Sequence, residues 1–216
     1  MDLFNSFVAY IAEHPAEVWG DIVVHVELSV VALVVAILIA VPLGVISLVV
    51  PWLAAPVLFI GNLGRVVPSL AVLAICLPIF GVGDTTALIA LTALAILPIL
   101  LNVRIGLSQV DPAVLDAARG IGLKRGQILS RIQFPLAMPV ILGGIRTAAV
   151  FVIASATLTA FIGSGGLGDP ILQGIATMNN SLLLVGAIPV ALLAILAELS
   201  LSWVERAATP RGIRAS

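Results

Sequence analysis

Residues 28–64 read LSVVALVVAILIAVPLGVISLVVPWLAAPVLFIGNLG, a run without a single Asp, Glu, Lys or Arg. A bilayer core of ~30 Å is crossed by roughly 20 apolar residues of helix, so this run is too long for one crossing. Pro51 and Pro56, on either side of Trp52, predict a turn near 49–55. Four further stretches are also free of charge: 66–83, 85–103, 147–168 and 170–197. The last opens with a Gly- and Asn-containing segment, which puts its helix start near Ser181. The pattern predicts an all-α integral membrane protein with five transmembrane helices, at about 26–49, 57–80, 85–107, 136–161 and 181–204. The second is interrupted at Arg65-Val66-Val67-Pro68, where Pro68 removes a backbone hydrogen bond and breaks the helix.

The composition of the whole chain agrees. Of 216 residues, 61% are apolar and 10% charged, against about half and a quarter in soluble domains. That excludes a soluble enzyme, a nucleic-acid binder and a disordered chain. The lone Cys76 permits no intrachain disulfide. Residues 1–216 read as one membrane domain, because the longest segment between spans, the loop 108–135, is too short for a separate soluble domain.

The net charge of -1 hides a strict segregation. All basic residues fall at Arg65, between Arg104 and Arg146, and in the tail from Arg206 onward. With five spans, the loop 108–135 and the C-terminus share a side, and the positive-inside rule makes that side cytoplasmic. The N-terminus (1–25, an amphipathic external segment), the Gly81–Asp84 turn and the 162–180 loop then lie outside with acidic charge only. Trp19, Trp52 and Trp203 fall near span ends, as an interfacial aromatic belt requires. The first span lacks a basic leader and is too long for a signal peptide, so it reads as a permanent span.

The loop carries the specific signal. Residues 109–135 read QVDPAVLDAARGIGLKRGQILSRIQFP. Asp111 is a helix cap and Pro112 takes the first helical position. Val114, Leu115, Ala118 and Ile121 share one face of a short helix that Gly120 and Gly122 end. A second helix from about Lys124 to Gln133 groups Ile128, Leu129 and Ile132, and Pro135 is expected to stop it before the fourth span. On residues alone the element reads equally as a solvated loop on the headgroups.

The order Asp116-Ala117-Ala118, three residues, Gly122, nine residues, Ile132, one residue, Phe134-Pro135 resembles the EAA motif of ABC importer permeases, with Asp for Glu and Phe for Leu. The resemblance implies that the first short helix is a coupling helix seated in a cytoplasmic ATPase, with Ala117 and Ala118 letting it sit deep and Gly122 allowing the turn. It extends over nearly the whole chain and implies the type I importer permease fold. Residues 66–84, 141–163 and 160–190 look like the glycine betaine/carnitine/choline branch of osmoprotectant uptake. Gly163-Ser164-Gly165-Gly166-Leu167-Gly168 is shared with methionine-type permeases, which leaves an amino-acid importer as the alternative. No P-loop and no solute-binding domain is present in the sequence. The resemblance therefore implies separate ATPase subunits that hold the ATP, a separate binding protein, and a second permease, identical or paralogous. The chain itself is expected to bind no cofactor or metal and to do no chemistry.

Other patterns compete. Gly81-Val82-Gly83-Asp84 and Gly166-Leu167-Gly168-Asp169 both spell GxGD, yet an aspartyl protease needs two facing carboxylates in mid-membrane, and both Asp fall at predicted turns. Ser164 lacks the surroundings of a rhomboid serine, and His14 and His25 lack clustered metal ligands. A secondary transporter would show broken helices in both halves, and the break at Pro68 has no twin. Arg65, Arg104 and Arg146 abut apolar runs and read as snorkelling or interhelical bonds, with Glu198 a partner for one of them. Small residues fill the fourth span, and its polar groups Ser155, Thr157 and Thr159 are the pathway-lining candidates.

Overall fold

The computed structural model describes residues 3–63 and 66–208; Arg65 and the arginines of the tail, Arg211 and Arg214, lie outside the described residues. Among the described residues ten α-helices follow one another: α1 Leu3–Glu13, α2 Pro15–Val49, α3 Ala54–Leu63, α4 Ser69–Phe80, α5 Asp84–Ser108, α6 Pro112–Gly120, α7 Arg125–Ile128, α8 Phe134–Ala156, α9 Gly168–Ala176 and α10 Asn180–Ala208. Among the described residues there is no strand, so the all-α reading holds.

Among the described residues four helical segments are long and apolar enough to cross a membrane: Pro15–Val49, Asp84–Ser108, Arg125–Ile162 and Asn180–Ala208. The second expected span, 57–80, is instead two helices of 10 and 12 residues, α3 and α4. At 1.5 Å per residue neither alone reaches across a ~30 Å core. Pro68, expected as the break, caps α4 in an extended conformation.

The helix that holds the first expected span begins well before residue 26. The helix α2 runs without interruption from Pro15, a residue suited to a helix's first turn, to Val49. Glu17, Asp21 and Glu27 are compatible with helix, Gly20 costs only about 1 kcal/mol, and Pro42 lies inside the helix without ending it. Of the segment 1–25, only α1 is a separate helix, and it packs against α10. The 162–180 segment is not a plain loop either. A 3₁₀ turn, Thr157–Ile162, extends α8, and α9 follows with Gly168, Pro170 and Gly174 buried.

The helix α5 is the hub, flanked by α2, α3, α4 and α8. It buries Ala87, Ala90, Leu91, Leu94, Ala95 and Ile99 among others. Lipid offers no hydrophobic drive between helices, so close packing must hold them, and small residues mark each crossing. In α2 the buried stripe is Ala32, Ala36, Ala40 and Gly44, one per turn. Gly44 meets Val103 of α5, and Gly106 of α5 meets Val140 and Ala137 of α8. Gly144 of α8 lies against Asn102 so closely that a methyl group there would overlap it.

Trp19, Trp52 and Trp203 are all exposed, at 66%, 75% and 72%. That exposure is what ring contact with headgroups demands.

Candidate functional site

The expected helix–Gly–helix element forms at the end of the bundle where α2 and α5 finish. The Asp111 carboxylate accepts from the Ala113 amide at 2.8 Å, with Pro112 at the first helical position. At the other end of α6 the Gly122 amide donates to Arg119 O at 2.9 Å and the Leu123 amide to Ala118 O at 3.1 Å. This pair of bonds is a Schellman motif, and Gly122 is its left-handed residue, with φ +86°.

The apolar stripe of α6 divides between two faces. Ala118 is buried and Leu115 half-buried against the chain itself, whereas Val114, Ala117 and Ile121 are exposed, Ile121 at 79%. The two alanines of the motif therefore differ in role: Ala118 seats α6 on its own bundle, and Ala117 lies on the free face. Asp116 pairs with Arg119 at 2.6 Å, but both side chains are well exposed, and such pairs contribute about 0–1 kcal/mol.

The second helix does not stop at Pro135. The short α7 passes through a π-helical segment, Leu129–Gln133, directly into α8. The reason is local. A π turn widens the helix and leaves a carbonyl without its usual donor, and Pro135 has no N–H to give. Ile132 is half-buried in this segment and Pro135 exposed. The consequence is a continuous helical rod from Arg125 to Ile162. A cavity of about 390 Å³ lies under α6 and α7, walled by Leu48 and Val49 from α2 and by Leu115, Ile128 and Leu129, with Arg119 and Arg125 at its edge.

The span arginines have partners. Arg104 donates to the Ser47 carbonyl at 2.5 Å and to Ser47 Oγ at 3.2 Å, tying α5 to α2. Arg146 pairs with Glu198 at 3.4 Å and Glu205 at 3.2 Å, both on α10. The sequence reading left Glu198's partner open and missed Glu205, although a spacing of seven puts both acids on one helix face. Arg146→Gln is expected to lower the melting temperature of the detergent-solubilised chain by about 3–6 °C. Adding Glu198→Gln is expected to recover part of it. A single variant that melts with the wild type would show that the pair contributes nothing.

Of the pathway candidates, Ser155 and Thr159 are buried within the chain and Thr157 is half-exposed. Thr159 Oγ1 donates to Ala156 O at 2.8 Å and Thr157 Oγ1 to Ala154 O at 2.8 Å. The catalytic rivals find no constellation. Asp84 borders a small cavity with Glu27, whereas the charge of Asp169 acts on Asp21. Burial lifts the Asp169 carboxyl above its ordinary range, but its neighbouring acid is Asp21 and not Asp84, so the two GxGD aspartates do not form a facing pair. His25, 1% exposed, spends Nε2 on the Ile153 carbonyl at 3.0 Å. Among the described residues no group of three His, Cys, Asp or Glu could hold a metal.

A bundle of long apolar helices, with a helix–Gly–helix element that runs on into one of them, is the architecture of a membrane transport subunit. The chain belongs to the family of binding-protein-dependent transport system inner membrane components, whose family model matches residues 24–210. The carnitine transport permease protein OpuCB of Listeria monocytogenes is 42% identical over 190 residues, 88% of this chain and 87% of that one. The glycine betaine/carnitine/choline transport system permease protein OpuCB of Bacillus subtilis is 36% identical over 97% of both chains. The osmoprotectant import permease protein OsmW of Salmonella typhimurium is 39% identical over 88% of this chain and 91% of that one. Among solved structures, the inward-facing MetNI methionine ABC transporter superposes with a TM-score of 0.76 at 20% identity, over 90% of this chain and 95% of that one. At that identity the likeness concerns the fold alone, and it bears out the importer-permease architecture.

Proposed function

We propose that this chain is the permease subunit of an ATP-driven importer for a quaternary-ammonium osmoprotectant of the glycine betaine, carnitine or choline class. One observation carries the reading: relatives named for these solutes match 88–97% of it at 36–42% identity. The methionine alternative rests on a shared Gly-rich segment and a fold likeness, and neither speaks to substrate.

The chain does no chemistry. ATP is hydrolysed on separate cytoplasmic ATPase subunits, and a docked extracytoplasmic binding protein delivers the solute. The exposed Val114, Ala117 and Ile121 stripe seats in the ATPase, and the rod through the π segment carries its motion into α8. A second permease, identical or paralogous, completes the pathway. The α3 and α4 helices act together as one broken crossing, which gives five spans. The α6 end is cytoplasmic, because Arg119, Lys124, Arg125 and Arg131 cluster there.

Two measurements test this. Single cysteines at the exposed positions Lys124 and Asn180 are expected to react with a membrane-impermeant maleimide from the cytoplasm and from outside, respectively; the reverse pattern sinks the orientation. In cells whose osmoprotectant uptake depends on this permease with its ATPase and binding protein, growth at high osmolarity is expected to require added betaine or a relative. Growth indifferent to these solutes, with a binding protein that captures methionine, would overturn the substrate.

A further inference from the structure

Halfway along α5 and α8, a cavity of about 360 Å³ opens on the face shared with α3, lined by Gly61, Leu97, Pro98, Leu101, Asn102, Thr147 and Phe151. We propose that this cavity is a transit site for the quaternary-ammonium head, with Phe151, Asn102 and Thr147 as its specificity-determining residues. The inference rests on the substrate class proposed above and adds where in this chain that class is recognised.

The volume is within the ordinary range for small-molecule sites. No charged side chain lines it, so a bound cation meets no countercharge that would hold it. Asn102 donates one amide hydrogen to Pro98 O at 2.8 Å, and the Thr147 hydroxyl donates to Gly143 O at 2.9 Å. That leaves two side-chain oxygens, of Asn102 and Thr147, to accept from or face a cation, beside one remaining amide hydrogen of Asn102. Phe151 supplies an aromatic ring, whose negative face attracts cations.

Such a wall discriminates by hydrogen-bond count. A trimethylammonium group carries charge but donates no N–H, so electron-rich surface satisfies it completely. The ammonium group of a free amino acid carries three donors. Two side-chain oxygens cannot satisfy all three, and each donor left unmet in a dry site costs about 1–3 kcal/mol. The cavity therefore passes quaternary amines and resists primary ones. One ring without a surrounding cage binds weakly, as transit requires.

The test uses the complete importer, with its ATPase and binding protein, in proteoliposomes, measuring uptake of labelled betaine, choline and carnitine alongside ATP hydrolysis. Phe151→Leu is expected to lower the maximal uptake rate about ten-fold, the scale of a lost cation–π contact, while binding-protein-stimulated ATP hydrolysis persists. Phe151→Tyr keeps an electron-rich ring and is expected to restore uptake. Thr147→Trp, at an exposed position of the protomer, fills the cavity without touching the core and is expected to block uptake with hydrolysis retained. Full uptake by both Phe151→Leu and Thr147→Trp overturns the site, as does a Phe151→Tyr variant no better than Phe151→Leu. A wild-type importer that moves none of the three solutes overturns the substrate reading first, and the site with it.

Discussion

Gly122→Leu is expected to lower solute uptake per ATP hydrolysed by roughly ten-fold, with the permease still folded and assembled. The cause is the backbone. A side chain blocking the turn was the sequence-based expectation, but a Cβ at Gly122 meets nothing within 4 Å. What leucine cannot tolerate is φ +86°, a left-handed conformation that costs an L-residue about 1–2 kcal/mol. Relaxing it breaks the bonds from the Gly122 and Leu123 amides to Arg119 O and Ala118 O. The end of α6 then turns, and Ile121, beside the glycine on the exposed stripe, leaves its place. Since 1.4 kcal/mol is a factor of ten in an equilibrium, the strain alone depopulates the docked geometry by about that factor. The contrast is Gly122→Asn, which tolerates the left-handed region and is expected to retain most coupling. Uptake and hydrolysis measured together in proteoliposomes decide it. If Gly122→Leu couples normally, the cap does not set the position of α6.

Charge distribution made the fold legible, and capping chemistry made half the site legible. Asp111-Pro112 and Gly122 act locally, so their roles follow from a few neighbouring residues, and α6 starts and stops where they place it. Features set by tertiary packing escaped. Whether Leu115 or Ile121 faces the bundle depends on how α6 sits over the end of α2, which no helical period encodes. The continuity of α7 into α8 escaped because proline is ordinarily a stop, and only a π segment makes it harmless. The helix α9 escaped because Gly163, Gly165, Gly166, Gly168 and Gly174 read as a loop. The first three do sit at positive φ, but Gly168 and Gly174 serve close contact instead. Composition cannot separate those two uses of glycine.

Close contact at one glycine and open space at another predict opposite outcomes. A Cβ at Gly168 would overlap the Thr157 carbonyl and lie 2.9 Å from Ala160 Cβ. The obstacle is backbone, in a 3₁₀ turn already held by bonds from Gly163 to Ala160 O and from Ser164 to Thr159 O. It cannot rotate aside as a side chain would. Gly186 on α10 is packed in the same manner against Ile171 of α9, so α9 cannot retreat toward α10. Overpacking into such a site costs about 3 kcal/mol or more. Gly168→Ala, a single added methyl group, is therefore expected to lower the melting temperature by about 6–12 °C and to reduce membrane yield. At Gly120, in the last turn of α6, a Cβ meets nothing and the backbone is helical. There alanine only removes freedom from the unfolded chain, and Gly120→Ala is expected to raise stability by about 0.4–1 kcal/mol. Thermal unfolding of the solubilised chain, followed by fluorescence-detected size exclusion, compares the two. If Gly168→Ala melts alongside Gly120→Ala, the seat of α9 between α10 and the end of α8 is not as tight as its glycines require.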